Sequence, residues 1–158
     1  MENGKILVVE DQDAMRESLM IAFKDEGYQV EGAASGEEAI QKLENRNVYD
    51  LVVTDLKMKK VDGLEVLKTV KASNQSTEVV LITAYGTIST AVQAIRDGAY
   101  DYVTKPFKFS VLLARIRAHL RSHQQSEDAV FKIGQYTFRP SAKLLTGPNN
   151  TKIGRAHV

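Results

Sequence analysis

The sequence predicts an α/β fold built on a five-stranded parallel sheet, followed by a short antiparallel β stub. Three observations carry this expectation. Short apolar runs with no polar alternation, such as Ile6 to Val9, Leu51 to Thr54 and Val79 to Thr83, read as strands buried on both faces. The stretches between them have the 3.6-residue period of helices and supply the crossovers that parallel strands require. Beyond about residue 130 the texture changes to short alternating runs cut by glycine and proline, the pattern of antiparallel strands.

The first strand, Ile6 to Val9, is closed by the acidic run Glu10-Asp11-Gln12-Asp13. A helix is expected from Ala14 to Glu26, with Met15, Leu19, Ala22 and Phe23 on one face, Asp13 as its cap and Gly27 as its end. Tyr28 to Ala33 reads as a weaker second strand. The next helix opens with the capping-box pattern Ser35-Gly36-Glu37-Glu38, carries Ala39, Ile40 and Leu43, and breaks at Asn45 to Asn47. The third strand, Leu51 to Thr54, ends in Asp55. After a loop from Leu56 to Gly63, a short helix turns Leu64, Leu67 and Val70 inward. Val79 to Thr83 is the most β-branched run and the fourth strand. Ile88, Ala91, Val92 and Ile95 then mark a helical face that Gly98 terminates. Tyr100 to Thr104 is the fifth strand, followed by Lys105-Pro106, where proline withholds a ladder donor. A last helix, about Ser110 to Ser122, buries Leu112, Leu113, Ile116 and Leu120 and displays Arg115, Arg117 and Arg121.

Composition narrows the class. With 43% hydrophobic and 26% charged residues the chain has material for a full core, and its net charge of +1 gives no overall pull toward nucleic acid or membrane. The absence of cysteine removes disulfides, thiolate catalysis and cysteine-based metal sites. No apolar run reaches the ~18 residues of a membrane span. A cytoplasmic protein with no membrane partner is expected.

In parallel sheets, function gathers at the carboxyl ends of the strands. There the sequence places Glu10, Asp11 and Asp13, then Asp55, Thr83 and Lys105. Aspartate is depleted in strands, and a charge beside a buried strand is costly unless paired, so Asp55 stands out. Glu10, Asp11 and Asp55 together would repel unless a cation compensates them, and oxygen ligands on loops suit magnesium. With a lysine and a hydroxyl added, the set fits a transferring phosphoryl group, whose chemistry is mainly positioning and charge neutralisation. A carboxylate can be the nucleophile. Asp13 is read as a helix cap rather than a ligand, and His119 and His123 as a solvated helix end.

Ordered motifs then bring a family into view: Lys5 to Asp11, Asp50 to Met58, Asp62-Gly63, Thr83-Ala84-Tyr85-Gly86 and Gly98 to Phe107. Across residues 4 to 121 the chain resembles the receiver domain of bacterial two-component response regulators, a (βα)5 flavodoxin-like fold. The resemblance implies that Asp55 accepts a phosphoryl group from the phosphohistidine of a sensor histidine kinase. It implies Mg2+ held by Asp11, Asp55 and the Lys57 backbone carbonyl, with Glu10 acting through water. Lys105 and Thr83 would contact phosphoryl oxygens, Tyr102 would turn inward as a switch, and Lys57 and Tyr85 would tune the rate of dephosphorylation. The switching surface would be formed by the fourth helix, the fifth strand and the last helix, where Asp101 and Arg115 suit a homodimer face. Ala91 and Val111 stand where a salt bridge is common in such dimers, and Lys59 where the family often has proline.

The expected organisation is a receiver domain over 1–122, a linker over 123–129, and over 130–152 the truncated amino-terminal sheet of a winged-helix DNA-binding domain. The helices that would bind DNA are missing from the chain. Residues Ile153 to Val158 match one reading frame of a common sequencing-adapter oligonucleotide and are expected to be an artefact. The chain is expected to be a phospho-acceptor regulator of an output such as transcription, not an enzyme. A stand-alone or sigma-54-activator-type receiver acting through protein contacts is the first alternative. The second is an aspartate-nucleophile phosphohydrolase, which typically carries a second aspartate where this chain has Lys57.

Overall fold

A computed structural model describes residues 4–45, 47–84, 86–121, 131–133, 135–139, 144–147 and 152–155. Five strands and five helices alternate: β1 (Lys5–Val9), α1 (Asp13–Asp25), β2 (Gln29–Ala33), α2 (Gly36–Glu44), β3 (Leu51–Asp55), α3 (Gly63–Ser73), β4 (Glu78–Thr83), α4 (Ile88–Arg96), β5 (Asp101–Thr104) and α5 (Phe109–Arg121). The strands form one parallel sheet in the order β2-β1-β3-β4-β5. The expected fold class and all five strands are present, with boundaries displaced by a residue or two.

Because β1, β3 and β4 are apolar on both faces, each face nucleates its own core. Leu7, Val52 and Leu81 pack with Val66, Leu67, Val70 and Ile95 of α3 and α4, while Ile6, Val53 and Val80 pack with Leu19, Phe23, Leu112 and Ile116 of α1 and α5. Phe23 meets Tyr28 and Phe109 edge to face, with ring centroids 6.1 and 5.1 Å apart. Gly27 and Gly98, at φ of 91° and 99°, end α1 and α4 as expected.

Several local expectations are corrected. Gln12, not Asp13, is the N-cap of α1 and makes no side-chain capping bond; Asp13 is the first helical residue and pairs instead with Arg16. At α2 the Ser35 hydroxyl accepts from Glu38 N–H, but the Glu38 carboxylate reaches back to Ala34 N–H rather than to Ser35. Ile88, read as part of the apolar face of α4, is 51% exposed, because it opens the helix beyond the edge of the core, and Ala94 takes the buried position. In α3, Val66 is buried while Leu64 is only partly so.

The carboxyl-terminal stretch forms a second, antiparallel sheet of four strands: β6 (Phe131–Ile133), β7 (Tyr136–Arg139), β8 (Leu144–Thr146) and β9 (Lys152–Arg155). β9 carries the sheet past the expected boundary at residue 152, since Arg155 pairs with Leu144. Strands β8 and β9 lie against α4, β6 lies against β5, and Tyr136 packs on the core beneath α3 and α4. The expected linker, 123–129, and residues 156–158 lie outside the described residues.

Main chain packs closely against main chain beside Asp55. A Cβ on Gly63 would stand 2.3 Å from the main-chain oxygen of Asp55 and 2.9 Å from Leu56 Cα. The Gly63 N–H also donates to Leu56 O at 2.8 Å, so backbone meets backbone and neither side can yield. Gly63→Ala is expected to cost about 2–3 kcal/mol by overpacking, seen as a lower urea midpoint at unchanged slope.

Candidate functional site

Parallel register assembles the site. Val9 is level with Thr54 across β1 and β3, so Glu10 and Asp55 leave their strands side by side. Asp55 is level with Ile82 of β4, and Thr83 with Thr104 of β5. The Lys105 N–H then donates to Thr83 O at 2.7 Å, extending the ladder by one bond before Pro106 ends it.

Three carboxylates converge there. One oxygen from each of Glu10, Asp11 and Asp55 lies within 4.8 Å of the others. The Lys105 ammonium stands 2.9 Å from Glu10 Oε1 and 3.6 Å from Asp55 Oδ2. Repulsion between unit charges at 4.8 Å is about 3 kcal/mol for each pair at an effective dielectric near 20. One ammonium against three carboxylates leaves an excess of two negative charges. The site sheds part of that excess at Glu10, which is 2% exposed: burial, then the adjoining Asp55 carboxylate, push its carboxyl up to about 7 despite Lys105. Burial works against the Lys105 charge, but the Glu10 hydrogen bond and the Asp55 charge outweigh it and raise its pKa.

Other predicted residues are placed as follows. Asp11 is exposed, Asp55 partly buried, and Thr83 fully buried at the end of β4. Val9, Glu10, Asp55, Ile82 and Lys105 line a small cleft. Lys57 sits in the loop after β3 with its side chain exposed, and Lys60 in the same loop takes the left-handed region at φ 63°. Tyr85 and His123 lie outside the described residues, as does the side chain of His119. Tyr102 points inward at 1% exposure, and burial raises its pKa. Asp101 is fully buried and accepts from Tyr102 N–H at 2.8 Å and from Arg115 at 3.3 Å in the same chain. Burial lifts the Asp101 pKa against the pull of Arg115.

Sequence reasoning missed Thr90. Its hydroxyl lies 2.7 Å from the Tyr102 hydroxyl, and it also closes a reciprocal capping box with Thr87 at the start of α4. A Thr-x-x-Thr spacing before the apolar face was the available signal, although the box normally carries Glu or Gln at its last position.

The donor set fits a hard divalent cation. All three groups are carboxylates, and Glu10 Oε2 is buried without a hydrogen-bond partner, an orphan acceptor in a residue of the cluster. The negative charge left in excess of Lys105 is what such an ion would neutralise.

Comparison with known proteins agrees with this geometry. The profile of the response regulator receiver domain matches residues 6–117, and the chain belongs to that family, whose business is phosphorelay signal transduction. The transcriptional regulatory protein ZraR of Klebsiella oxytoca is 37% identical over 149 residues, covering 91% of this chain and 33% of its own length. The response regulator MprA of Mycobacterium sp. (strain KMS) is 41% identical over 123 residues, covering 78% of this chain and 53% of its own. The chain therefore spans about a third to a half of these relatives. Among solved structures, a response regulator receiver domain from Clostridium thermocellum superposes with a TM-score of 0.69 at 30% identity, covering 74% of this chain and 94% of that one. The response regulator DrrB of Thermotoga maritima, described as an OmpR/PhoB homologue, gives a TM-score of 0.72 over 100% of this chain and 67% of its own, at 24% identity, a likeness of fold.

The raised Glu10 pKa has a consequence for stability. Below pH 4.5 this carboxyl is protonated in both folded and unfolded chains and contributes nothing. Between 4.5 and about 7 the unfolded chain ionises it and the folded chain does not, so stability falls as pH rises through that window and then levels off. In metal-free buffer the fall is expected to be on the order of 1–3 kcal/mol. Urea unfolding from pH 4.5 to 8 should show it as the difference between the natural chain and Glu10→Gln.

Proposed function

We propose that this receiver takes a phosphoryl group on Asp55 from the phosphohistidine of a sensor histidine kinase and passes the signal to an output through α4, β5 and α5. The convergence of Glu10, Asp11 and Asp55 around the Lys105 ammonium carries this reading. A carboxylate oxygen of Asp55 forms the new P–O bond, the P–N bond breaks, and the departing imidazole keeps the electron pair. Asp11, Asp55 and the Lys57 carbonyl, with Glu10 through water, would hold Mg2+, which would supply charge neutralisation. Lys105, already within reach of both Glu10 and Asp55, contacts one phosphoryl oxygen, and the Thr83 hydroxyl donates to another. Tyr102 reports the change at the surface, and Lys57 and Tyr85 set the lifetime of the phosphorylated form.

The protein acts in the cytoplasm as a regulator whose catalysis is confined to its own phosphorylation and dephosphorylation. Among the described residues no helix is long and apolar enough to cross a membrane. Lys57 stands where an aspartate-nucleophile phosphohydrolase carries the aspartate that serves as its acid, which disfavours turnover. The intact protein regulates transcription by binding DNA through a winged-helix module of which 130–152 is the leading sheet. The fold likeness to DrrB across the whole chain supports a second domain after the receiver, and the regulatory names of the relatives support a transcriptional output without choosing between the winged-helix and sigma-54-activator classes.

Homodimerisation would use the same α4-β5-α5 surface, through Asp101 and Arg115. With Asp101 buried against Arg115 of its own chain, the guanidinium is the part of that pair a partner would meet. Strands β8 and β9 lie on α4, so pairing through α4 requires the second sheet to move.

Incubation with acetyl phosphate and magnesium is expected to label about one equivalent of the chain, with labelling lost in Asp55→Asn and on adding EDTA. Undiminished labelling of Asp55→Asn, or repeated turnover of a phosphomonoester, overturns the acceptor reading.

A further inference from the structure

Arg16, in the second turn of α1, divides its guanidinium between two partners. Nη1 donates to the main-chain oxygen of Glu10 at 2.8 Å, and Nη2 to Asp13 Oδ1 at 2.6 Å. The side chain is 18% exposed. Its stem crosses β2 at Gly32, where a Cβ would stand 3.3 Å from Arg16 Cδ and 2.6 Å from Met20 Sδ. A glycine inside a strand weakens it, and here it opens the path that the arginine takes.

The carbonyl that Arg16 grips belongs to the peptide bond joining Glu10 to Asp11. On its other side Glu10 is fixed as well, because its N–H donates to Ala33 O at 3.0 Å. Main chain and guanidinium together therefore set the direction in which Asp11 leaves the strand. Without the second anchor, mutual repulsion would swing the exposed Asp11 outward into water. Asp13, 80% exposed, is drawn to the arginine and is not one of the three carboxylates that converge.

We infer that Arg16 is a positioning residue for the acidic site: by clamping the Glu10–Asp11 peptide it holds the carboxylates facing Asp55 before a cation arrives, and it keeps Asp13 aside. The inference rests on the reading that this cluster binds a divalent cation. Preorganised ligands bind more tightly because ordering them costs nothing at the moment of binding. Outer partners of this kind typically change metal affinity by about 10–100-fold, and a contact to main chain rather than to a ligand side chain belongs at the low end of that range.

The test is a magnesium titration of the unphosphorylated full chain, followed by amide chemical shifts around Asp11, Asp55 and Lys105, on variants whose spectra show them folded. Arg16→Ala is expected to raise the Kd for magnesium about tenfold. Arg16→Gln keeps the stem over Gly32 but loses the reach, and is expected to match it. Arg16→Lys, with a single ammonium for two partners, should restore part of the affinity. Asp13→Asn leaves the carbonyl contact intact and should change the Kd by less than about twofold, as expected of an exposed pair. Unchanged magnesium affinity in folded Arg16→Ala or Arg16→Gln, with only a lowered melting temperature, overturns the inference and leaves the metal reading standing. Failure of the natural chain to bind magnesium overturns both.

Discussion

Repulsion among Glu10, Asp11 and Asp55 is the constraint on which the rest of the site depends. Nothing in the local sequence favours three carboxylates within 4.8 Å of one another. They are brought together because β1 and β3 are adjacent, parallel and in register, and because those strands are too apolar to leave the core. The hydrophobic faces of the sheet thus supply the free energy that holds an electrostatically unfavourable cluster. Lys105 offsets part of it from β5, across the whole width between β1 and that edge strand, and the partly protonated Glu10 offsets more. What remains is an excess of negative charge at the mouth of a cleft, which an incoming cation relieves. A site strained in this way is weakest when empty and gains most from the ligand that it is proposed to bind.

The parts of this arrangement that were legible in the sequence are those written in period and order. Val79 to Thr83 could only be a buried strand, and five such runs alternating with helical faces allow few other topologies. Because side chains at strand ends in a parallel sheet share one edge, Glu10, Asp55, Thr83 and Lys105 could be placed together without a structure. Contacts that depend on side-chain reach were not legible. Asp13 looks like a helix cap in sequence, but whether it caps or pairs depends on where Arg16 goes, and that depends on the groove above Gly32. Likewise Thr90 is a helix residue like its neighbours until Tyr102 turns inward and needs a partner for a buried hydroxyl. Exposure of Ile88 shows the same limit, since helical period gives a face but not how far the core extends beneath it.

The inward Tyr102 stands a short way from the site, against the first turn of α4. β4 ends in Thr83, and Lys105, after β5, is hydrogen-bonded to its carbonyl, so movement at either residue is felt by both strands. Tyr102 lies on β5 between them and the first turn of α4, where its hydroxyl meets Thr90. That bond ties a buried hydroxyl to the same Thr90 hydroxyl that closes the capping box with Thr87. Breaking it would expose one group and loosen the other, so the inward position of Tyr102 and an intact start to α4 favour each other.

The second sheet bears on the same helix. With β8 and β9 against α4, and β6 against β5, the surface proposed for output and the surface covered by the carboxyl-terminal strands overlap. Anything that shifts α4 must therefore alter either its cap at Thr87 and Thr90 or its contact with this sheet. Four short strands bury little apolar area by themselves and depend on a neighbour for much of their stability. Tyr136 shows the dependence directly, since it packs against the core beneath α3 and α4. The coupling is consequently two-sided: the sheet steadies α4 in the arrangement seen here, and the position of α4 decides whether the sheet has a surface on which to rest.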